Sequence, residues 1–229
     1  MKLNKSQVYI TIPLYNDEKM ILKVIKSLND NGYNNIVIVD DGSRDNGYDV
    51  VKKNTNVIVT KHIINRGQGA ALQTGMEIAI EKGAKYIVNF DSDGQHDVKD
   101  LDHMLETLIE GKYDIVLGSR FLQQNDIPLK KRILLKGGII FTYLLSNIKL
   151  TDVHNGLRVM TSETAKKLNI QHDRMEHASE ILDKIKVLNL KYKEVPVTIH
   201  YTEYSMSKGQ SILNSINIAW KLISSKLKE

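Results

Sequence analysis

The sequence predicts an α/β protein with a mostly parallel central sheet and helices on both of its faces. Five short apolar runs occur in the first half of the chain, and such continuous runs are typical of strands that are buried on both faces. Segments with apolar residues at helical spacing lie between them, and this β-α-β alternation indicates a doubly wound sheet. With 229 residues and 41% hydrophobic content, the chain can bury one large core.

The predicted elements follow one another in a regular order. Strands are predicted at VYITIPL (8–14), NIVIVD (35–40), NVIVT (56–60), KYIVNF (85–90) and YDIVLGS (113–119), which all contain adjacent β-branched residues. Helices are predicted at residues 17–32, 45–54, 67–83 and 98–112, where apolar residues recur at intervals of three and four. Three of these helices close with glycine or an Asn-Gly pair, which commonly terminate helices.

Each predicted strand runs directly into a polar loop. The loops read PLYNDE (13–18), DDGSRDN (40–46), NRGQGAA (65–71), DSDGQH (91–96) and GSRF (118–121). Ligands of open parallel sheets bind beyond the carboxyl ends of the strands. Five polar loops at one rim therefore predict a binding site there.

The loop after the fourth strand predicts a divalent metal site. Asp91, Asp93 and Gln95 can direct three oxygen ligands at one point, because Gly94 allows the chain to turn. Oxygen ligands suit Mg²⁺ or Mn²⁺, which keep free positions for substrate phosphates. A calcium-binding loop is excluded, because the glycine and the glutamate that it needs at its sixth and twelfth positions are missing.

The stretch NRGQGAA predicts a helix start whose backbone amides could attract phosphate. It is neither a Rossmann fingerprint, because Leu72 occupies the third glycine position, nor a phosphate loop, because no Gly-Lys-Ser/Thr follows.

Composition narrows the classes of protein and partner. With no cysteine, the chain has neither disulfides nor thiolate metal ligands, and we expect it in a reducing cytosol. We expect neither a secretory leader nor a membrane-spanning helix. The net charge of the chain is +5. Its basic residues gather in one run, LKKRILLK (129–136), which is either a solvated helix or a surface for anionic lipid. Nucleic acid is not expected, because aromatic residues make up 6% of the chain and none interleaves with that run.

In this order, IPLYNDE, VDDGSRDN, NRGQGAALQTG, FDSDGQH, GSRF and DVHNGLRVMT resemble the family 2 glycosyltransferases of the GT-A fold, most of all the dolichol-phosphate mannose synthase branch. The resemblance covers residues 7–200, and implies a catalytic domain at 1–201 followed by a C-terminal helical region at 202–229. It also implies a nucleotide-sugar donor, a divalent cation and inversion at the anomeric carbon. The stretch YTEYSMSKGQS (201–211) resembles bacterial cell-envelope polysaccharide members, some of which make polyprenyl-phosphate sugars with a small membrane protein partner.

The same resemblance implies the roles of individual residues. The nucleoside pocket would contain Pro13, Tyr15, Glu18 and Asp41, with Asp41 contacting a base or ribose. The donor-binding set also includes Asn65, Gly69 and Ser92. The cation would be held by Asp91, Asp93 and Gln95, and an acceptor phosphate by Arg120 and Arg132. Two departures weigh against mannose: no arginine occurs near residue 204, and His154 and Asn155 replace a hydroxyl and a small residue.

The acceptor decides whether a catalytic base is needed. A lipid phosphate, with a second pKa near 6, is already a nucleophile at neutral pH, whereas a sugar hydroxyl must lose a proton. Glu176 lies where related enzymes with sugar acceptors keep a catalytic carboxylate, and Glu180, four residues on, would share its helical face. An ordinary charged helix is the alternative.

Three functions therefore stay open at this point. The chain transfers a sugar, with UDP-sugar as the expected donor, to polyprenyl phosphate, or it transfers the sugar to a glycan hydroxyl, or it is a non-catalytic nucleotide-sugar binding module. The stripe Ile212, Ile216, Ala219, Ile223 and Leu227 either packs on the domain or lies on the membrane together with the helix near 130–148. The second arrangement would place the protein on the inner face of the cell membrane.

Overall fold

The computed structural model describes residues 3–123, 127, 132–133, 135–139, 148–153 and 155–201 of the chain. The predicted C-terminal helix, the loop at 204 and His154 lie outside these ranges, and so does most of the predicted helix at 130–148. Their predicted roles therefore stay predictions.

Within the described residues, seven strands form one sheet in the order β3-β2-β1-β4-β6-β5-β7. Their bounds are β1 Val8–Leu14, β2 Ile36–Asp40, β3 Ile58–Lys61, β4 Tyr86–Asn89, β5 Ile115–Ser119, β6 Arg158–Thr161 and β7 Tyr192–Pro196. Neighbouring strands are parallel except for β6, which runs antiparallel to both β4 and β5. The mostly parallel sheet predicted from the sequence is thus confirmed.

Helices cover both faces of this sheet. The described helices are α1 Glu18–Asp30, α2 Gly47–Asn54, α3 Gln68–Glu81, α4 Asp100–Glu110, α5 Ser162–Leu168 and α6 His177–Val187. One buried cluster joins the sheet to α1, α2 and α4, and a second joins its other face to α3, α5 and α6. Each helix packs through apolar residues at intervals of three and four, as Ile21, Val24, Ile25 and Leu28 do in α1.

The nine elements expected in the first half of the chain are confirmed, with ends that shift by about two residues at most. The strands β6 and β7 were not predicted from the sequence. Their placement has a consequence for the site, because β6 separates the end of β4 from the end of β5. The acidic loop after β4 and Arg120 after β5 are therefore held apart by an antiparallel strand.

A charged cluster is built around the residues that precede β1 and β2. Lys5 lies before β1 and Tyr33 before β2, and both reach Asp102 on α4. The Lys5 Nζ atom is 2.6 Å from Asp102 Oδ1 and 4.4 Å from the centre of the Tyr33 ring. Tyr33 is fully buried, and its hydroxyl donates to Asp102. We refer to these three residues as the amino-end cluster.

Candidate active site

The loops after β1 and β2 hold each other through reciprocal hydrogen bonds. The Asn16 amide donates to Ser43 Oγ (3.0 Å), and the Arg44 amide donates to Asn16 Oδ1 (2.8 Å). Asn16 has a left-handed backbone with φ of 54°, a conformation that asparagine tolerates better than most residues. The Asn46 amide donates to Glu18 Oε2 (3.2 Å). The two loops therefore form one continuous wall of the rim.

Three of the residues predicted for the nucleoside pocket lie on this wall. Pro13 is buried in β1, whereas Tyr15, just beyond the strand, is 42% exposed. An exposed aromatic ring at a strand end is available to stack on a flat ligand. Glu18 begins α1 and braces the second loop through its carboxylate.

Asp41 has a different environment from the one predicted. Its carboxylate accepts hydrogen bonds from His62 Nδ1 (2.8 Å), Asn65 Nδ2 (2.8 Å), the Arg66 amide (3.0 Å) and the Gly67 amide (2.6 Å). Both of its oxygens are therefore engaged by the loop between β3 and α3. These bonds shape the loop, and the predicted contacts of Asp41 and Asn65 with the donor stay predictions.

The glycines at the start of α3 serve a close approach of two chain segments. A Cβ atom on Gly67 would lie 2.4 Å from the Asp173 carbonyl oxygen, and one on Gly69 would lie 2.1 Å from the His172 carbonyl oxygen. The Ala70 amide already donates to the Asp173 carbonyl (3.0 Å). The predicted phosphate position at this helix start is thus largely covered by residues 172–174.

The two aspartates of the metal prediction lie on the rim just after β4. Asp91 accepts hydrogen bonds from Gln68 Nε2 (3.0 Å) and His96 Nε2 (2.9 Å). Asp93 accepts from the backbone amide of Gln95 (3.0 Å) and from its side-chain Nε2 (2.5 Å). Gly94 makes the expected turn with a φ of 73°. Gln95 thus presents its NH₂ group to Asp93, and the convergence of its side-chain oxygen with the two carboxylates on a metal stays a prediction.

The two carboxyl groups have opposite pKa shifts. Burial pushes the pKa of Asp91 upward, but the hydrogen bond and charge of His96 and the charges of Arg158 and His177 hold it below its ordinary value. Burial and the negative charge of Asp91 raise the pKa of Asp93. The repulsion expected from the sequence is therefore offset at Asp91 by neighbouring side chains and remains at Asp93.

This arrangement fits a divalent cation. A cation between the carboxylates would relieve the repulsion that raises the pKa of Asp93, and Mg²⁺ or Mn²⁺ is commonly held by one or two carboxylates plus substrate phosphates. In the described part of the chain, no group of three or more His, Cys, Asp or Glu residues is arranged to hold a metal.

Ser92, which is predicted to bind the donor, forms a hydrogen bond with another side chain of the protein. Its hydroxyl donates to Asp17 Oδ2 at 2.6 Å, and both side chains are buried. Asp17 is the residue that precedes α1. The bond therefore ties the acidic loop to the wall formed by the loops after β1 and β2.

Arg120 forms a buried ion pair at the end of β5. Its Nε atom is 2.6 Å from Asp152 Oδ2, and its backbone amide donates to the same oxygen at 3.1 Å. Burial lowers its pKa, but the charges of Asp152 and Tyr201 raise it by more, so the guanidinium stays protonated. Arg132, the other residue predicted to bind acceptor phosphate, is exposed. The two arginines therefore differ in environment, and their contact with an acceptor phosphate stays a prediction.

A cleft of about 480 Å³ lies beside the β3–α3 loop. Its walls are residues 64–66 on one side and 172–174 with Glu176 on the other. Glu176 immediately precedes α6. The carboxylate of Glu180 instead bonds within the protein. It accepts hydrogen bonds from the amides of Gln171 and His172, and its Oε1 atom is 2.6 Å from Lys184 Nζ. Of the two glutamates, only Glu176 lines the cleft.

Four residues around Asp91 were not predicted to belong to the site. Gln68 and His96 bond to Asp91 directly, and Arg158 and His177 act on it electrostatically. Burial and the charge of Arg158 lower the pKa of His177 to about 4, so its ring is neutral at pH 7. Gln68, His96 and Arg158 each belong to a quoted motif, but the three motifs are far apart in the sequence and carry no common spacing. Asn155, from the same motif as Arg158, is buried and accepts from the Leu157 amide.

The fold and this rim define a class of protein with many solved members. Glucosyl-3-phosphoglycerate synthase from Mycobacterium tuberculosis, solved with Mn²⁺, UDP and phosphoglyceric acid, superposes with a TM-score of 0.71 at 15% identity, covering 96% of this chain and 77% of that one. Staphylococcus aureus TarS, residues 1–349, superposes with a TM-score of 0.56 at 20% identity, over 82% and 57%. The fold is therefore the GT-A fold of glycosyltransferases.

Sequence comparison identifies the family within that fold. The model of Glycosyl transferase family 2 matches residues 9–168. The chain is 42% identical to the uncharacterized protein MJ1222 of Methanocaldococcus jannaschii, over 99% of this chain and 95% of the relative. It is 36% identical to UDP-N-acetylglucosamine–dolichyl-phosphate N-acetylglucosaminyltransferase of Methanococcus voltae, over 96% of each. It is 24% identical to undecaprenyl-phosphate mannosyltransferase of Micrococcus luteus, over 91% and 92%. The chain belongs to glycosyltransferase family 2.

Proposed function

We propose that this enzyme is an inverting, metal-dependent glycosyltransferase that moves a sugar from a UDP-sugar to polyprenyl phosphate. The observation that carries the proposal is the Asp91–Asp93 pair on the rim, where one carboxylate raises the pKa of the other. UDP as the carrier is supported by the relative that shares 36% identity over nearly its whole length and has UDP-N-acetylglucosamine in its name. Family membership and the named enzymes weigh against a non-catalytic binding module.

The carboxylate pair would hold Mg²⁺ or Mn²⁺ through Asp91 and Asp93. When bound, such a cation neutralises the charge that develops on the leaving diphosphate. The protein's own residues prepare this position, because Gln68 and His96 orient Asp91 while Gln95 orients Asp93. Tyr15 and Glu18 would line the nucleoside side of the rim, next to the aspartates.

The acceptor phosphate supplies its own nucleophile. One of its oxygens attacks the anomeric carbon while the bond from that carbon to UDP breaks, and UDP leaves with the electron pair. Because a phosphate monoester is already ionised at neutral pH, no residue needs to remove a proton. Arg120 stays charged beside Asp152 and supplies positive charge on the acceptor side of β6.

Acceptors of this kind place the enzyme at a membrane surface. Relatives named for dolichyl-phosphate and undecaprenyl-phosphate transfer use acceptors that are membrane lipids. Among the helices of the described residues, none combines the length and hydrophobicity needed to cross a bilayer. Because the acceptors named for these relatives are membrane lipids, we propose that the protein acts as a peripheral protein at the inner face of the cell membrane. The small membrane protein partner predicted from the sequence has no support in the named relatives.

Transfer to a glycan hydroxyl is the second candidate, and the position of Glu176 in the cleft favours it. The Glu176→Gln variant separates the two candidates, because it removes a base without changing the shape of the side chain. With polyprenyl phosphate as acceptor, we expect kcat within about threefold of wild type, since no base is required. With a glycan acceptor in place of the lipid phosphate, a loss of about a hundredfold or more would identify Glu176 as the base for a hydroxyl acceptor.

A further inference from the structure

The antiparallel strand β6 places an arginine between the two halves of the site. Arg158 begins β6, where it pairs in register with Asn89 on β4 and with Leu117 on β5. The acidic loop follows Asn89 two residues later, and Arg120 follows β5. Arg158 therefore lies below the boundary between the metal half and the acceptor half of the rim.

Arg158 is buried to an extent that is unusual for a charged residue. It is 3% exposed, and its Nη1 atom has no hydrogen-bond partner among the described residues. A buried charge is costly unless an opposite charge compensates it. Some feature of the site must therefore offset that cost.

Two carboxylates provide part of the compensation. Burial lowers the pKa of Arg158 below its ordinary value, and the charges of Asp91 and Asp152 oppose that effect by favouring the protonated guanidinium. Asp152 is shared, because it also pairs with Arg120 at 2.6 Å. Asp91 has no cationic arginine or lysine in direct contact within the described part of the chain, and its direct partners are Gln68 and His96.

The chain is also shaped to bring β6 close to Asp91. A Cβ atom on Gly156 would lie 2.4 Å from Asp91 Oδ2 and 2.9 Å from Oδ1. Only glycine permits this approach, so the turn that leads into Arg158 packs directly on the carboxylate. Backbone packing and charge thus connect the same two places.

We propose that Arg158 is a positioning residue that acts as the built-in counter-ion of Asp91 before a divalent cation binds. It holds the carboxylate in place in the metal-free protein, and the cation then takes over most of that compensation. The inference rests on the proposed function, because it takes the Asp91–Asp93 pair to be the metal site. It predicts that Arg158 stabilises the metal-free protein while it weakens the affinity for the metal.

The test compares Arg158→Gln, which removes the charge, with Arg158→Lys, which keeps it. Mn²⁺ binding in the presence of UDP is followed by the electron paramagnetic resonance signal of free Mn²⁺. We expect Arg158→Gln to bind Mn²⁺ on the order of tenfold more tightly, because one nearby positive charge is gone. Arg158→Lys should remain within about threefold of wild type, since the Coulomb term is largely kept.

Melting temperatures in EDTA and in Mn²⁺ with UDP give a second readout. Arg158→Gln should be destabilised in EDTA, and saturating Mn²⁺ should remove most of that deficit. Lys5→Gln in the amino-end cluster is the matched control, because it also removes a cation paired with an aspartate. Its deficit should be the same in EDTA and in Mn²⁺.

A deficit of Arg158→Gln that is equal in both conditions, with unchanged Mn²⁺ affinity, would show that Arg158 serves only the fold and would overturn the inference. Absence of Mn²⁺ binding by the wild-type protein would overturn it as well. Transfer to polyprenyl phosphate, measured on the same wild-type sample, tests the proposed function separately. The expected Mn²⁺ shift without transfer would support the counter-ion and reject the proposed acceptor.

Discussion

Two charged clusters at different places in the sheet differ in how far their negative charges are balanced by neighbouring groups. In the amino-end cluster, Asp102 is matched by the Lys5 ammonium and the Tyr33 hydroxyl within one compact contact. On the carboxyl rim, Asp91 and Asp93 lie close enough for one to raise the pKa of the other. The charges of the first cluster are paired within the protein, whereas the second cluster would gain from an added cation under the proposed function. A carboxylate whose charge is not balanced by neighbouring side chains therefore indicates the candidate active site better than the mere presence of charged residues does.

The largest effect is expected when the rim loses its uncompensated charge. Asp93→Asn should reduce sugar transfer by at least about a thousandfold, because a metal ligand is lost. The same variant should raise the melting temperature in EDTA by a few degrees, on the order of 1 kcal/mol, since the repulsion with Asp91 disappears. Initial rates with Mn²⁺ and thermal unfolding in EDTA measure the two effects. Full activity of the variant would contradict the proposal that the rim holds a metal required for transfer.

A second prediction concerns acid stability next to the rim. The pKa of His177 is about 4 in the folded protein, below its ordinary value of 6.5, because of burial and the charge of Arg158. The unfolded chain thus binds a proton that the folded protein does not, and the stability contributed above pH 6.5 is lost as the pH falls towards 4. This group should cost roughly 2.5 kcal/mol between pH 7.5 and 4.5.

The variant His177→Asn tests this contribution of His177 to the pH dependence of stability. It keeps a donor near the position of Nδ1, which bonds to the Arg174 carbonyl. Urea unfolding at pH 7.5 and 4.5 should show a smaller loss of free energy of unfolding in the variant than in wild type. An identical loss in both proteins would mean that His177 is already protonated or solvated in the folded state.

The smallest effect is expected at the amino-end cluster. Tyr33→Phe removes the hydroxyl that donates to Asp102 and keeps the buried ring. The free energy of unfolding should fall by about 1 kcal/mol, the usual net value of a hydrogen bond, and kcat and KM should stay at wild-type values. Chemical denaturation and steady-state kinetics check both. A tenfold change in kcat would show that the amino-end cluster also affects catalysis, and would contradict the view that it serves only stability.

Most of the fold could be predicted, because its elements have strong local patterns. The β-branched runs and the helical stripes locate nine elements, and the polar loops behind the strands locate the rim. The strand β6 was not predicted because RVMT lacks the adjacent β-branched residues of the other runs and its antiparallel pairing depends on partners far away in the chain. With β6 unrecognised, Arg158 could not be placed between the two halves of the site.

The roles of single residues were harder to predict than the rim itself. Asp41 and Ser92 lie in the expected loops, yet the first is saturated by the β3–α3 loop and the second bonds to Asp17. A motif identifies which residue types meet at a site, but hydrogen-bond partners depend on distances that only the folded chain sets. The same reason explains why Glu180 braces α6 while Glu176 reaches the cleft.

The most direct measurement is transfer of label from a panel of radiolabelled UDP- and GDP-sugars to polyprenyl phosphate in detergent, with Mn²⁺ or EDTA, for the wild-type protein and Asp93→Asn. We expect lipid-phase label only with the wild-type protein, Mn²⁺ and a UDP-sugar, and the labelled donor then identifies the sugar. Equal labelling in EDTA, or by Asp93→Asn, would contradict the metal-dependent rim. Label found only on a glycan acceptor would contradict the lipid phosphate as the substrate.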